Sequence, residues 1–331
     1  MRKLRAGVLG LGIGRRHAAG YATTSLADLV AVCDADSERL DRAKAAYPSI
    51  QIYHEYAEML SEAHLDVVSV CTPDHMHVDH SIAALEAGLH VLCEKPLADS
   101  VEGAARIVEA ARRSSRMVMV GHDRRFVPSL RTVKAMCDSG ELGTVFYVEA
   151  NSLQNKLGQF SAAPWYFTRQ ALLGTGAHCV DLMRWIGGEV LEAFAYSNHL
   201  TFPEFPRDDN IVVLYRLASG CIGKVTMAYG AIRPPRGCPT ELMVYGSKGS
   251  VEDDRVYVPA TNASKSWQPL KPRFPDQESH SAEIQHFCEC LLEGRRPLTD
   301  AVEGARTVAA CVAGIESAAT GRPVVPVRFE D

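Results

Sequence analysis

Leu4-Arg5-Ala6-Gly7-Val8-Leu9-Gly10-Leu11-Gly12-Ile13-Gly14 is the stretch that decides the fold. An apolar run of strand length ends on a glycine-rich turn, and a helix is expected to open directly after it. Gly10 permits the tight turn, Gly12 lets the backbone approach a pyrophosphate, and the free N–H groups at the helix start face the phosphates. The spacing is G-x-G-x-G, one residue shorter than the usual fingerprint, so the glycines count only in context. That context is present. An acid, Asp34, ends the second apolar run 24 positions beyond Gly10. A carboxylate there hydrogen-bonds an adenosine ribose hydroxyl and repels a 2′-phosphate, which favours NAD over NADP. Gly10, Gly12, Ile13, Gly14 and Asp34 are the expected cofactor-binding residues. Arg39, with Arg15 or Arg16 nearer the loop, is the group that would meet the extra phosphate of NADP.

Outward from this turn, short apolar runs recur at residues 4–9, 29–33, 67–71, 89–93 and 117–120. Runs that are apolar throughout suit parallel strands buried on both faces. Between them lie segments with helical spacing, such as Val101, Ala104, Ala105, Val108 and Ala111, with Asp99 or Ser100 as the expected cap. Strand–helix alternation predicts a doubly wound parallel sheet of the Rossmann type over residues 1–122. The pattern changes after His122. Alternating strands joined by Ser-Gly turns predict a second α/β domain, residues 123–331, built on a largely antiparallel open sheet. Two amphipathic helices close the chain and are candidates to pack back on the first domain.

Composition excludes several classes. A chain of 331 residues suggests about two domains. A net charge of −5 gives no support for nucleic acid or an anionic membrane surface as partner. No apolar stretch approaches the ~20 residues of a membrane span. The basic start is followed only by the glycine-rich run 6–14, which lacks the length and cleavage site of a signal peptide, so a cytoplasmic protein is expected. The ten cysteines are scattered, mostly in apolar runs, and are expected to be reduced. Cys288 and Cys290 point apart on a predicted helix. His75, His77 and His80 have no carboxylate or cysteine triad in their loop to complete a site. No metal is expected.

Ligands of an open parallel sheet sit beyond the carboxyl ends of its strands. Two further turns fall there. Thr72-Pro73-Asp74-His75-Met76-His77 ends the third long run, and Glu94-Lys95-Pro96 ends the fourth. Thr72, Pro73, His77, Glu94 and Lys95 are therefore candidates to line the cofactor. Lys95, beside a nicotinamide ring, is a candidate proton carrier for carbon–oxygen redox chemistry.

These motifs occur in a recognisable order: the glycine loop with His17, Thr72-Pro73 with His77, Glu94-Lys95-Pro96, Arg125-Phe126-x-Pro128, and Gly176-x-His178-x-x-Asp181. The chain resembles the Gfo/Idh/MocA oxidoreductases, over nearly its whole length. The resemblance implies NAD(P)-linked oxidation or reduction of sugars, cyclitols or their derivatives, and a homo-dimer or homo-tetramer joined through the open sheet. It implies Lys95 and His178 as acid/base groups, with Asp181 one helical turn beyond the histidine as support. Arg125, Trp165, Tyr166 and Arg169 are the candidate substrate residues. Two departures bear on substrate. The family often has an aspartate four residues before the histidine, where this chain has Gly174, and a glycine pair where it has Arg169-Gln170. Two other functions stay open on these residues: a nucleotide-bound regulatory or sensing protein without turnover, and an NAD-dependent glycosidase that uses the redox step transiently.

Overall fold

The computed structural model of the chain describes residues 2–156, 167, 169–234, 240–260 and 265–330. They form two compact units. One comprises Met1–Phe126, Gln277–Ala305 and Phe329–Asp331; the other comprises Val127–Asp276 and Arg306–Arg328.

The first unit alternates β1 (Leu4–Leu9), α1 (Gly14–Thr23), β2 (Ala27–Cys33), α2 (Ser37–Ala46), β3 (Gln51–Tyr53), α3 (Tyr56–Glu62), β4 (Val67–Val70), α4 (His77–Glu86), β5 (His90–Glu94), α5 (Val101–Ser114) and β6 (Val118–Gly121). The strands pair in parallel in the order β3-β2-β1-β4-β5-β6. The order reverses direction between β1 and β4, which opens a crevice at their carboxyl ends. Val8, Val67, Val91, Leu92 and Met119 are wholly buried, as the unbroken apolar runs require. Ser100 caps α5 by accepting the Gly103 N–H.

The second unit contains α6 (Pro128–Asp138), β7 (Val145–Leu153), α7 (Ala171–Gly174), α8 (Ala177–Gly187), β8 (Val190–Asn198), β9 (Asn210–Leu217), β10 (Ile222–Ala228), β11 (Glu241–Gly246), β12 (Ser250–Glu252), β13 (Arg255–Tyr257) and β14 (Gln268–Pro269). Its sheet runs β14-β13-β12-β11-β7-β10-β9-β8. Every pair is antiparallel except β7 with β10, which is parallel. Along β9, Ile211, Val213, Tyr215 and Leu217 are buried while Val212 and Leu214 are exposed. That period of two places one face on a helical layer that includes α8 and leaves the other face open.

Helix α9 (Ser279–Glu293) returns to the first unit, where Ile284, Phe287 and Cys288 share a core with Ala18 and Tyr21 of α1. The segment after it runs beside β6: the Val120 N–H donates to the Thr299 carbonyl at 2.7 Å. Helix α10 (Ala301–Thr320) follows, with Ala301–Ala305 in the first unit and the remainder in the second. No helix among the described residues is long and apolar enough to cross a membrane.

Candidate active site

The sequence-predicted cofactor residues converge at the carboxyl edge of the first sheet. Gly10 has φ +84°, and a Cβ there would lie 2.7 Å from the Cys71 carbonyl oxygen, so only glycine turns the chain this tightly against β4. Above Gly12 the space is open, the nearest atom to a built Cβ being Arg39 Nη1 at 3.9 Å. No side chain caps the start of α1, and its first turn holds no acid. The first-turn N–H groups and the bare Gly12 backbone form a cradle that fits a pyrophosphate. Asp34 is nearly buried and braces this loop: Oδ2 accepts the Leu11 N–H at 2.6 Å and Oδ1 accepts the Asp36 N–H at 2.9 Å. Asp36, not Asp34, is the cap of α2. Arg39 is half exposed, with Nη1 3.5 Å from Asp34 Oδ2. Ile13 is 40% exposed beside the cradle, and Gly14 is buried at the start of α1.

Two more turns lie on this edge, and His77 ties them together. Its ring is fully buried, with Nδ1 2.7 Å from the Pro96 carbonyl and Nε2 2.8 Å from the Thr72 carbonyl. Two carbonyl acceptors require both ring nitrogens to be protonated. Burial alone would lower the pKa of this histidine. Cys93, Asp74 and the Pro96 carbonyl outweigh that and push it up to about 10. His77 thus fixes the Thr72–Pro73 turn against the Lys95–Pro96 turn and is spent on backbone. His80, from the same helix, meets Thr72 Oγ1 at 3.0 Å. Because the folded pKa is raised, this stabilisation is complete below about pH 6.5 and is lost as pH rises through about 10. Urea midpoints of the native protein should fall between pH 7 and 10. His77→Gln should be less stable at pH 7 and show a flatter decline, and equal slopes would refute the strap.

Glu94 ends β5 inside the unit. Its Oε1 pairs with His17 Nε2 at 3.1 Å and its Oε2 accepts the Lys95 N–H at 3.1 Å. One ring nitrogen of His280 completes a group whose potential ligand atoms lie within 4.8 Å of one another. His17 and Glu94 pair directly, and His280 Nδ1 meets Glu278 Oε1 at 2.9 Å. Lys95 is half-buried just beyond the strand. Ser69, Tyr21 and His280 were not singled out from sequence. His17, directly before the small residues Ala18, Ala19 and Gly20 of α1, is the signal that could have led to them.

The remaining candidates are described within their own units. Arg125 is buried in the first unit, donating to the Leu298 carbonyl and pairing with Glu303 at 3.2 Å. His178 and Asp181 lie on the second unit's α8. Asp181 is wholly buried, and its Oδ1 accepts from Thr307 Oγ1 at 3.4 Å. Trp165 and Tyr166 lie outside the described residues. Arg169 is nearly buried, and its Nη2 donates to the Gly174 carbonyl at 3.3 Å. A Cβ on Gly174 would lie 2.6 Å from Arg169 Nε. The two departures from the family pattern are therefore one local arrangement, in which the arginine takes the space a side chain at 174 would need. Gly174→Asp should cost about 1–3 kcal/mol by overpacking. In Arg169→Ala/Gly174→Asp most of that cost should vanish, as a double-mutant cycle of thermal unfolding would show. Additive effects would refute the coupling. Burial and the Arg169 charge both lower the pKa of the neighbouring Lys156, which was not anticipated from sequence.

Comparison with known proteins decides the family. Residues 4–122 match the model of an oxidoreductase family with an NAD-binding Rossmann fold, and residues 130–252 match the C-terminal domain of the same family. The chain belongs to the Gfo/Idh/MocA oxidoreductases. Inositol 2-dehydrogenase 2 of Saccharopolyspora erythraea is 30% identical, with 96% of this chain and 94% of that protein covered. The WlbA dehydrogenase of Bordetella pertussis, solved with NADH and UDP-GlcNAcA, is 27% identical, with a TM-score of 0.84 over 99% of this chain and 100% of that one. A levoglucosan dehydrogenase solved with NADH and levoglucosan shares the fold at 22% identity, with a TM-score of 0.89 over 99% of this chain and 100% of that one. As a Gfo/Idh/MocA protein the chain is an oxidoreductase with NAD as its cofactor, which agrees with the open cradle above Gly12 and the braced carboxylate of Asp34.

Proposed function

We propose that the chain is a dehydrogenase that oxidises a secondary hydroxyl of a sugar, cyclitol or sugar-derived substrate. The observation that carries this reading is Lys95 on the same strand edge as the glycine cradle, its turn tied by His77 to the Thr72 turn. Bound NAD supplies the hydride acceptor. The chain's own task is the proton. As the carbon loses hydride, the hydroxyl proton passes to the Lys95 amine in its neutral form, and the product is a carbonyl. His178 is the second acid/base group, a side chain that changes charge near neutral pH. Asp34 holds the adenosine ribose. Arg169 puts positive charge on the segment leading to His178, which favours substrates bearing a carboxylate. The test is a panel of myo-inositol, levoglucosan, glucose and glucuronate with NAD, followed at the absorbance of the reduced cofactor. Turnover of a hydroxyl substrate is expected, and NAD binding without turnover of any class would oppose the reading.

The open sheet face carries Tyr196, Leu214 and Ile222, each 48–72% exposed. We infer that a second copy of the chain covers it, as a homo-dimer or homo-tetramer. The mass in solution should be two or four times the 36.1 kDa of one chain. Leu214→Glu/Ile222→Glu should lower it to one chain, and a native monomer would refute the interface.

A further inference from the structure

A buried relay of side chains ends at Lys95. With the His17 proton on Nε2, each member of the relay has one direction of donation. Tyr21 O–H donates to Ser69 Oγ at 3.1 Å. Ser69 O–H donates to His17 Nδ1 at 3.1 Å. His17 Nε2–H donates to Glu94 Oε1 at 3.1 Å. The relay is oriented toward a single acceptor, the ionised Glu94, whose other oxygen takes the Lys95 N–H. Tyr21, Ser69 and His17 are 0–1% exposed and Glu94 is 6% exposed, so water does not screen the charge.

We propose that Glu94 is a positioning residue for Lys95: locked by His17, its buried carboxylate anchors the lysine backbone and tunes the balance between the ammonium and neutral forms of the side-chain amine. This rests on Lys95 being the proton acceptor, and it adds what sets the pH at which that amine becomes a base. A fixed negative charge beside an ammonium raises its pKa, and in a water-poor setting the effect exceeds that of a surface pair. Burial opposes ionisation of Glu94. The hydrogen bond from His17, with Lys95 and His280, opposes that and holds the carboxyl below the ordinary glutamate range. The titratable and charged groups facing this carboxylate are His17 of α1, Cys71 after β4, Lys95 itself and His280 of α9. Around His280 stand Glu278 and Asp123. Glu283, also of α9, acts on Tyr21 and Cys71.

The test reads the amine itself and needs no substrate. Competitive acetylation of the full-length protein with acetic anhydride, sampled from pH 6 to 11 and read at the Lys95 peptide by mass spectrometry, gives its titration. Glu94→Gln should lower that titration by about one pH unit, tenfold in the free-amine fraction below the pKa. His17→Asn keeps the carboxylate and should move it less than half as far. Equal shifts in both variants, or none in Glu94→Gln, would overturn the proposal. Should Glu94→Gln not fold, carboxyl-carbon NMR of the native protein decides: Glu94 must stay ionised at pH 4, and titration in the ordinary glutamate range would overturn it. Inactivity of Lys95→Ala is a separate matter. If that variant turns over normally, the catalytic reading fails whatever the acetylation shows.

Discussion

Lys95→Ala is expected to lower kcat by about 10²–10⁴-fold, the range that a positioned general base contributes, while NADH binding followed by fluorescence changes less than threefold. Lys95 follows β5 directly, and its N–H is held by Glu94. The next peptide carbonyl is held by His77. The backbone that carries the amine is thus fixed from both sides, so removing the side chain removes a proton acceptor and leaves the cradle at Gly10–Gly14 intact. Lys95→Arg should be nearly as poor as alanine, because a guanidinium does not deprotonate near neutral pH. Activity within tenfold of native in either variant would sink the assignment of the base.

Asp34→Asn is expected to weaken NADH binding about 10–100-fold, the loss of hydrogen bonds to a charged acceptor at about 1.5–3 kcal/mol. Asp34 serves two purposes. Its Oδ2 braces the glycine turn through the Leu11 N–H, and in the proposed reading the same group meets the ribose. Asparagine keeps much of the shape and removes the charge. Arg39, with Nη1 3.5 Å from Asp34 Oδ2, then loses its counter-ion beside the cradle and becomes a partner for a 2′-phosphate. The preference for NADH over NADPH should therefore shrink at least tenfold, measured by parallel fluorescence titrations. An unchanged ratio would show that Asp34 acts on the loop alone.

Much of the first unit was legible from the chain. The runs at 4–9 and 67–71 became β1 and β4 nearly residue for residue, because a parallel strand buried on both faces must be apolar throughout. The glycine turn and Asp34 were legible because their spacing follows from one strand–turn–helix unit. In the second unit, β9 is apolar at both parities from Ile211 to Tyr215, so the chain showed a strand and only the fold showed which residues point inward. The chain could not show that β10 pairs in parallel with β7 some 75 residues away, since neither strand's own pattern encodes its neighbour.

The site divides along the same line. That a dinucleotide cradle exists, and that a lysine follows a strand of the same sheet, was determined by the sequence, because turns and strand ends are written in neighbouring residues. Tertiary structure alone decided that His77 is a strap between two turns, that Arg125 is turned inward to Glu303, that Arg169 fills the gap at Gly174, and that His17 reaches Glu94 from 77 positions away. A buried polar group must find its partner wherever the folded chain brings one, and that choice belongs to packing in three dimensions, not to local order along the chain.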